Sequence, residues 1–385
     1  MSADHLAPCS ATVAVVGAGM IGLNVALALV ERGCRVVTID DHSAPVFGSS
    51  GRGGSSLGII DKQAGPMREL AVRSIARFHK QIEQLGGSWL HMVGGLVPIR
   101  IGEELAARRI ANGDELVQWL EQDELALVTT LLDRRKVAGA LYVDGEGRID
   151  VGAFAHCALN WLRASGRWTY RTGRAVDVVD AGDFARISLD DVGSVVCDRV
   201  VIVPGYDIHG LARRLGVAYV QEPCRGLILA YGASWVTGRD PIMLGLPYVQ
   251  ARYDGHGAVG SATGVEVSFS LEAPPGVLRI GSSREYVGFT EVDSGATSAR
   301  ILAEAQSFMT VKGTPTIMTC WRPVTASGVP VAGRLPGCAA VFCALGFEGH
   351  GVCVSAAVGD DLAEYVAQGD CPVTLQDFDP ASQHK

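Results

Sequence analysis

The chain has 385 residues, of which 48% are apolar and 19% charged, and a formal net charge of -8. It is long enough for two domains and a large core, and too apolar for extensive disorder. Its basic residues stand in short, separated groups (Arg108-Arg109, Arg134-Arg135-Lys136, Arg213-Arg214), so no basic cluster is available for nucleic-acid phosphates and no nucleic-acid partner is expected.

The stretch from Thr12 to Asp41 reads as strand, glycine turn, helix and second strand. Thr12 to Val16 is an apolar run of the kind buried on both faces of a sheet. Gly17, Ala18, Gly19, Met20, Ile21 and Gly22 supply G-x-G-x-x-G. Its glycines serve the tight turn, the approach of backbone to a pyrophosphate and close packing of helix on strand. The helix presents Ile21, Val25, Ala28 and Leu29 on one face, and its N-terminal N–H groups and dipole favour phosphate. Arg32-Gly33 closes it, and a strand from Arg35 to Ile39 ends in Asp40, eighteen residues after Gly22, with Asp41 beside it. An acid there suits a free ribose 2′-hydroxyl, so FAD or NAD is expected rather than NADP.

The Gly- and Ser-rich segment after Asp41 is too irregular for a regular element. Gly48, Ser49, Ser50 and Arg52 are its candidates for wrapping a cofactor. Residues 66–85 form an amphipathic helix with Leu70, Ile75, Phe78, Ile82 and Leu85 on one face, stopped by Gly86-Gly87. A strand over Leu90 to Ile101, interrupted by a Gly pair, precedes a charged helical stretch from Glu103 to Leu132. Around Gly139 to Val143 the pattern returns to strand, and Asp150 caps a helix from Val151 to Ala164. Strands follow at Thr169 to Arg174, Val176 to Val179, Ala185 to Leu189 and Val195 to Val203, the last ending at Pro204-Gly205, a position suited to a second contact with a dinucleotide. From 216 to 288 strand-like runs (GVAYVQEP, GLILAYG, IMLGLPYVQARY, VLRIGSSRE) alternate with turn clusters such as Asp254 to Gly257, an antiparallel sheet inserted in the first domain. Arg300 to Met309 is helical, and a glycine-rich region follows Thr319.

Residues 13–30 carry no charge, but three glycines in turn spacing and the change from strand to helix fit that run better than a membrane span. MSADHLAPCS has no basic n-region, ASQHK no prenylation or peroxisomal signal, and the ten cysteines include no C-x-x-C. Free thiols in the cytoplasm are expected, with no metal site.

Four segments together resemble the FAD-dependent amine oxidoreductases of the D-amino acid oxidase class, which includes glycine oxidase and monomeric sarcosine oxidase. They are VAVVGAGMIGLNVALALVERG, VVCDRVVIVPG, CWRPVTASGVPVAG at 320–333 and AVFCALGFEGHGVCVSAAVGDDLAEYV at 340–366. The resemblance implies an α/β chain with a Rossmann-type FAD-binding domain, from residues 11–85, 140–215 and 320–370. A mostly antiparallel substrate domain would come from 86–139 and 216–319. It implies that Val176 meets the adenine and that Arg322 binds a substrate carboxylate, a role suited to a guanidinium fork. Gly346, Gly349, His350 and Gly351 would approach the flavin ring, where N–H groups at a helix N-terminus stabilise negative charge. Two departures stand out. The sarcosine oxidase pattern G-F-x-G-H-G-F-K has Val352-Cys353 in its last two places here, so its lysine is missing. Those enzymes also attach FAD to a cysteine just before the arginine, where Cys320 stands, whereas glycine-oxidase-like members place a glycine there and bind FAD without a bond.

The expected activity is oxidation of a C–N bond in a small amino acid or secondary amine, giving an imine that hydrolyses, with oxygen or another electron acceptor. Tyr248, Arg252 and Tyr253 would lie in the inserted sheet, with Tyr248 as the substrate-facing choice. The alternatives are an FAD-dependent 2-hydroxy-acid dehydrogenase and a flavoprotein subunit that passes electrons to a partner; a homo-oligomer also fits.

Overall fold

Thr12–Val16 forms the interior of a six-stranded sheet because its side chains are apolar on both faces, and four of the five residues are buried. The strand order is 331–334, 341–345, 199–202, 12–16, 35–40, 168–172. All neighbours are parallel except the edge pair of Val331–Arg334 with Val341–Leu345. The fold is mixed α/β, and a computed structural model describes residues 11–190, 193–206, 211, 224–253 (without the side chains of 251–253), 265–287, 294–325 and 327–381.

Two helices pack on this sheet and on each other, and a third packs on one of them. Met20–Glu31 is buried along almost its whole length, and Gly351–Gln368 crosses it at Gly359, where an added Cβ would lie 2.7 Å from Asn24 Cβ. Pro66–Leu85 completes the group with the bounds its apolar periodicity predicts. Asn24 Nδ2 donates to Ser355 Oγ (3.2 Å), and Gln81 Nε2 donates to Asn24 Oδ1 (2.8 Å), so one buried relay ties all three helices. A small polar network of this kind fixes helix register, because each member loses a hydrogen bond if any helix slides. Val151–Ala164 is also as expected, with Asp150 Oδ1 accepting the Ala153 N–H at 2.9 Å.

A second, eight-stranded sheet runs 316–322, 224–232, 277–285, 265–272, 242–244, 95–100, 137–143, 118–121. It is antiparallel apart from the pairing of Ile242–Leu244 with Gly95–Arg100. A buried pair, Arg225 with Glu285, is hydrogen-bonded across two of its strands, and Ser283 Oγ donates to Glu285 at 2.7 Å. Smaller sheets join 175–180, 185–189 and 194–197, and separately 56–57, 147–149 and 90–92.

Several expectations need correction. The stretch 103–132 is not continuously helical: the helix Glu104–Gly113 ends at Gly113-Asp114, and Gln118–Glu121 is an edge strand on Val137–Val143. The single strand over 195–203 is two, Ser194–Cys197 and Arg199–Ile202, in different sheets. Asp198 makes the break, accepting the Thr12 N–H with its carboxylate (2.7 Å) and donating its own N–H to Thr12 O (2.9 Å). The likeness to a strand of IMLGLPYVQARY holds only for Ile242–Leu244, and Leu246–Tyr253 is a helix. Pro247 near its start explains this, since a fixed φ and a missing N–H are tolerated in the first turn of a helix. The 294–306 helix begins and ends earlier than the expected 300–309. The run GVAYVQEP and the turn Asp254 to Gly257 lie outside the described residues.

Candidate active site

The glycine turn separates two cavities. Gly17 has φ 109°, and a Cβ on it would overlap the Val203 carbonyl oxygen; a Cβ on Gly22 would overlap the Gly17 carbonyl. These two glycines make the turn and the helix contact. Gly19 differs: a Cβ there would meet only Ser50 Oγ, at 3.3 Å, so its backbone is open to a ligand. Ser50 Oγ accepts the Met20 N–H at 3.1 Å, and Ser49 Oγ donates to Trp321 O, so Ser49–Arg52, a short helix where no regular element was expected, lies over the N-terminus of Met20–Glu31.

On one side lies a cavity of about 180 Å³ lined by Gly17, Asp40, Asp41 and Val176, with Arg174 and Pro204. Asp40 braces the turn as well as facing this space: Oδ2 accepts the Ala18 N–H (2.6 Å) and Oδ1 the His42 N–H (3.0 Å). Burial raises its carboxyl above the ordinary value, against the effect of those N–H groups. His42 Nδ1 also lies 3.2 Å from Oδ1, whereas Oδ2 keeps a second lone pair to which a ribose hydroxyl can donate.

On the other side a cavity of about 230 Å³ is lined by Gly19, Met20, Ile21, Ser49, Ser50 and Gly205. From the far end of the chain Cys320, Arg322, Gly346, Gly349, His350 and Gly351 reach the same space, as does Tyr248. Tyr248 does so from the helix 246–253 rather than from the sheet. The side chains of Arg252 and Tyr253 lie outside the described part. Three of the sequence candidates, Gly22, Gly48 and Arg52, line neither cavity. Gly22 acts in packing, and Arg52 is exposed, its guanidinium stacked 4.9 Å from the Phe47 ring.

The two C-terminal motifs meet through backbone. Glu348 N–H donates to Pro323 O at 2.9 Å, Val324 bridges to Phe347, and Gly346 (φ 73°) is packed against Thr325 so closely that a Cβ would overlap its methyl. Arg322 is thereby held beside the N-terminus of Gly351–Gln368, whose first-turn N–H groups have no intrahelical acceptor. Its guanidinium lies over Gly226, where a Cβ would come within 2.6 Å of Nη2, and Nη1 donates to Ser283 O at 3.1 Å. Burial opposes its charge, but the neighbouring Cys320 and Glu348 shift it upward overall. No carboxylate forms an ion pair with Arg322 among the described residues.

Sequence reading did not single out several charged residues that line this cavity. Lys62 is 5% exposed and donates from Nζ to Gly58 O and Asp61 Oδ1, both at 2.7 Å. Burial works against its charge, and Asp61 more than offsets this. Asp61 Oδ2 also lies 3.6 Å from His350 Nδ1. Lys62 acts electrostatically on Cys353, the position at which the sarcosine oxidase pattern has its lysine, and burial pushes that thiol up to about 11. Behind them the buried Glu146 accepts the N–H groups of Ile59 and Ile60, and burial pushes its carboxyl up to about 7. Arg284 pairs with Glu348, a non-glycine residue at φ 48°, a conformation that costs on the order of 1 kcal/mol and persists only where its surroundings hold it. Glu272 accepts from Ser55 N (2.6 Å), Ser55 Oγ (2.9 Å) and Ser56 Oγ (2.6 Å). The one signal in the sequence was a charged pair, Asp61-Lys62, directly after Ile59-Ile60.

A glycine turn with an acid-lined cavity on one side and a larger cavity on the other leaves room for an elongated dinucleotide. That arrangement defines a flavin-type oxidoreductase. The family description FAD dependent oxidoreductase (DAO) matches residues 12–365, and the chain belongs to this family. It is 24% identical over 382 residues to a glycine oxidase of Geobacillus kaustophilus (strain HTA426), covering 95% of each chain. Glycine oxidase from Bacillus cereus ATCC 14579 has the same fold, with a TM-score of 0.79 at 19% identity over 96% of this chain and 98% of that one. L-proline dehydrogenase from P. horikoshii gives 0.76 at 18% identity over 98% and 99%.

Proposed function

We propose that the protein oxidises the C–N bond of a small amino acid or secondary amine, with Arg322 binding the substrate carboxylate. The observation that carries this is a guanidinium facing the cavity without a carboxylate partner among the described residues. A carboxylate completes it through two parallel N–H donors and fixes the substrate's orientation.

FAD, when bound, supplies the chemistry by accepting a hydride from the carbon that bears the nitrogen. Tyr248 closes the substrate space from the 246–253 helix. Ile228, Leu244 and Phe347 add apolar surface among the charged groups of the cavity, and burial against it disfavours an ammonium, which helps the amine react in its neutral form. The N–H groups of residues 351–353, at the N-terminus of the last helix, present positive potential at one end of the cavity, beside His350. The cofactor domain in this reading is built on the six-stranded sheet, and the eight-stranded sheet carries the substrate side. The nine described cysteines are all free thiols, and no described helix is long and apolar enough to cross a membrane; we place the enzyme in the cytoplasm.

The test is anaerobic mixing of the purified yellow protein with panels of amino acids, N-methyl amino acids and 2-hydroxy acids. Bleaching by members of the first two panels is expected. Bleaching by hydroxy acids alone, or by nothing in any panel, overturns the reading. Peroxide formation by the single chain in air would identify oxygen as acceptor and count against a dependent subunit.

A further inference from the structure

Two guanidiniums face the part of the cavity where Arg322 lies. Arg284, at the end of the strand Val277–Glu285, is 8% exposed and lines the same space. Its Nη2 is ion-paired with Glu348, and its buried Nε has no hydrogen-bond acceptor among the described residues. Glu348 is turned toward it by the left-handed backbone between Phe347 and Gly349, and its side chain is 12% exposed. The next residue touches the other arginine: a Cβ on Gly349 would lie 3.9 Å from Arg322 Cδ. Arg322, Arg284 and Glu348 therefore form one cluster. Two guanidiniums and one carboxylate leave a single positive charge, which one substrate carboxylate neutralises. A second carboxylate would have to reach Arg284, where it meets the charge of Glu348 at short range.

We propose that Glu348 is a built-in carboxylate occupying the second of two anion positions, so that the enzyme accepts amines with one carboxylate and rejects dicarboxylic ones. This rests on the reading of Arg322 as the substrate carboxylate's ligand. Selection works by repulsion: the pocket has the cation a dicarboxylate needs and fills it from its own chain. Removing the charge of Glu348 should open Arg284 to a second carboxylate.

The test uses holoenzyme and ligands that cannot be oxidised at an amine, read by perturbation of the flavin absorbance. Acetate is the monocarboxylate; malonate, succinate and glutarate are the dicarboxylates, of which the tightest is scored. In the unaltered protein acetate should bind at least about tenfold more tightly than any dicarboxylate. In Glu348→Gln the best dicarboxylate should gain at least about tenfold while acetate changes by less than about threefold. A dicarboxylate that binds the unaltered protein as tightly as acetate, or a Gln variant with an unchanged ratio, overturns the proposal. Glu348→Gly, which suits a positive φ, takes its place if the Gln variant fails to hold flavin, and the ratio in the unaltered protein decides if both fail. Arg322→Met separates the two readings. Acetate binding that survives it refutes the role of Arg322. Acetate binding lost there, with the ratio unchanged in the Glu348 variants, refutes only the role of Glu348.

Discussion

Replacing Arg322 by Met tests whether its guanidinium is there for substrate or for structure. Among the described residues the Arg322 guanidinium makes one hydrogen bond, to Ser283 O at 3.1 Å, and no carboxylate there is ion-paired with it. The loss of one such bond is worth about 1 kcal/mol, and the thioether keeps much of the packing over Gly226, so the thermal midpoint should hardly move. Catalysis should respond very differently. A charge-assisted contact contributes roughly 1.5–3 kcal/mol, so loss of the carboxylate clamp should lower kcat/KM by about 10- to 150-fold for amines that carry a carboxylate. An amine without a carboxylate should be affected far less. Arg322→Lys restores a charge but not the planar fork and should recover only part of the loss. Stopped-flow flavin reduction gives the kinetics, and a thermal scan of the same samples gives stability. If kcat/KM stays within about threefold while the midpoint collapses, Arg322 is a structural residue and the reasoning fails.

Asp61→Asn should leave the buried Lys62 ammonium without its counter-ion and destabilise the protein by about 3–5 kcal/mol, with Asp61→Asn combined with Lys62→Met recovering most of it in denaturant titration. Glu146 should make stability fall as pH rises. Its carboxyl ionises near 4.5 when unfolded and about 7 when folded, so the native state holds the extra proton between those values and loses up to about 3 kcal/mol by pH 8. Thermal midpoints of Glu146→Gln should lack that slope between pH 5 and 8, and an equal slope in both proteins would contradict the assignment. Acid precipitation should release yellow colour to the supernatant; colour that stays in the pellet, and leaves it in Cys320→Ser, would make Cys320 the point of attachment instead.

Where an element is made by local pattern, the sequence reading and the structure agree. The helix Pro66–Leu85 is legible because its apolar residues repeat at helical spacing and Gly86 stops it; Asp150 announces its helix by capping it. The reading fails where a long-range contact outweighs the pattern. Val195 to Val203 looks like one strand, but Asp198 binds Thr12 at the start of a central strand of the six-stranded sheet and divides it. Tyr248 reads as part of a strand because its neighbours are apolar, yet Pro247 and the Gly245 carbonyl, which accepts its N–H at 3.1 Å, start a helix there.

The candidate site divides in the same way. Gly17, Gly19 and Gly22 with Asp40 declare a dinucleotide turn by residue type and spacing alone, since only glycine leaves room for that backbone approach. The resemblance of the 320–333 and 340–366 segments adds FAD and Arg322. What spacing cannot express is which charges meet. Lys62 with Asp61 and Cys353, and Arg284 with Glu348 beside Arg322, are brought together by strand register and by the crossing of the last helix over the first. Pairing and desolvation depend on distance through space, and that distance exists only once the two sheets and the helix N-termini have closed around one cavity.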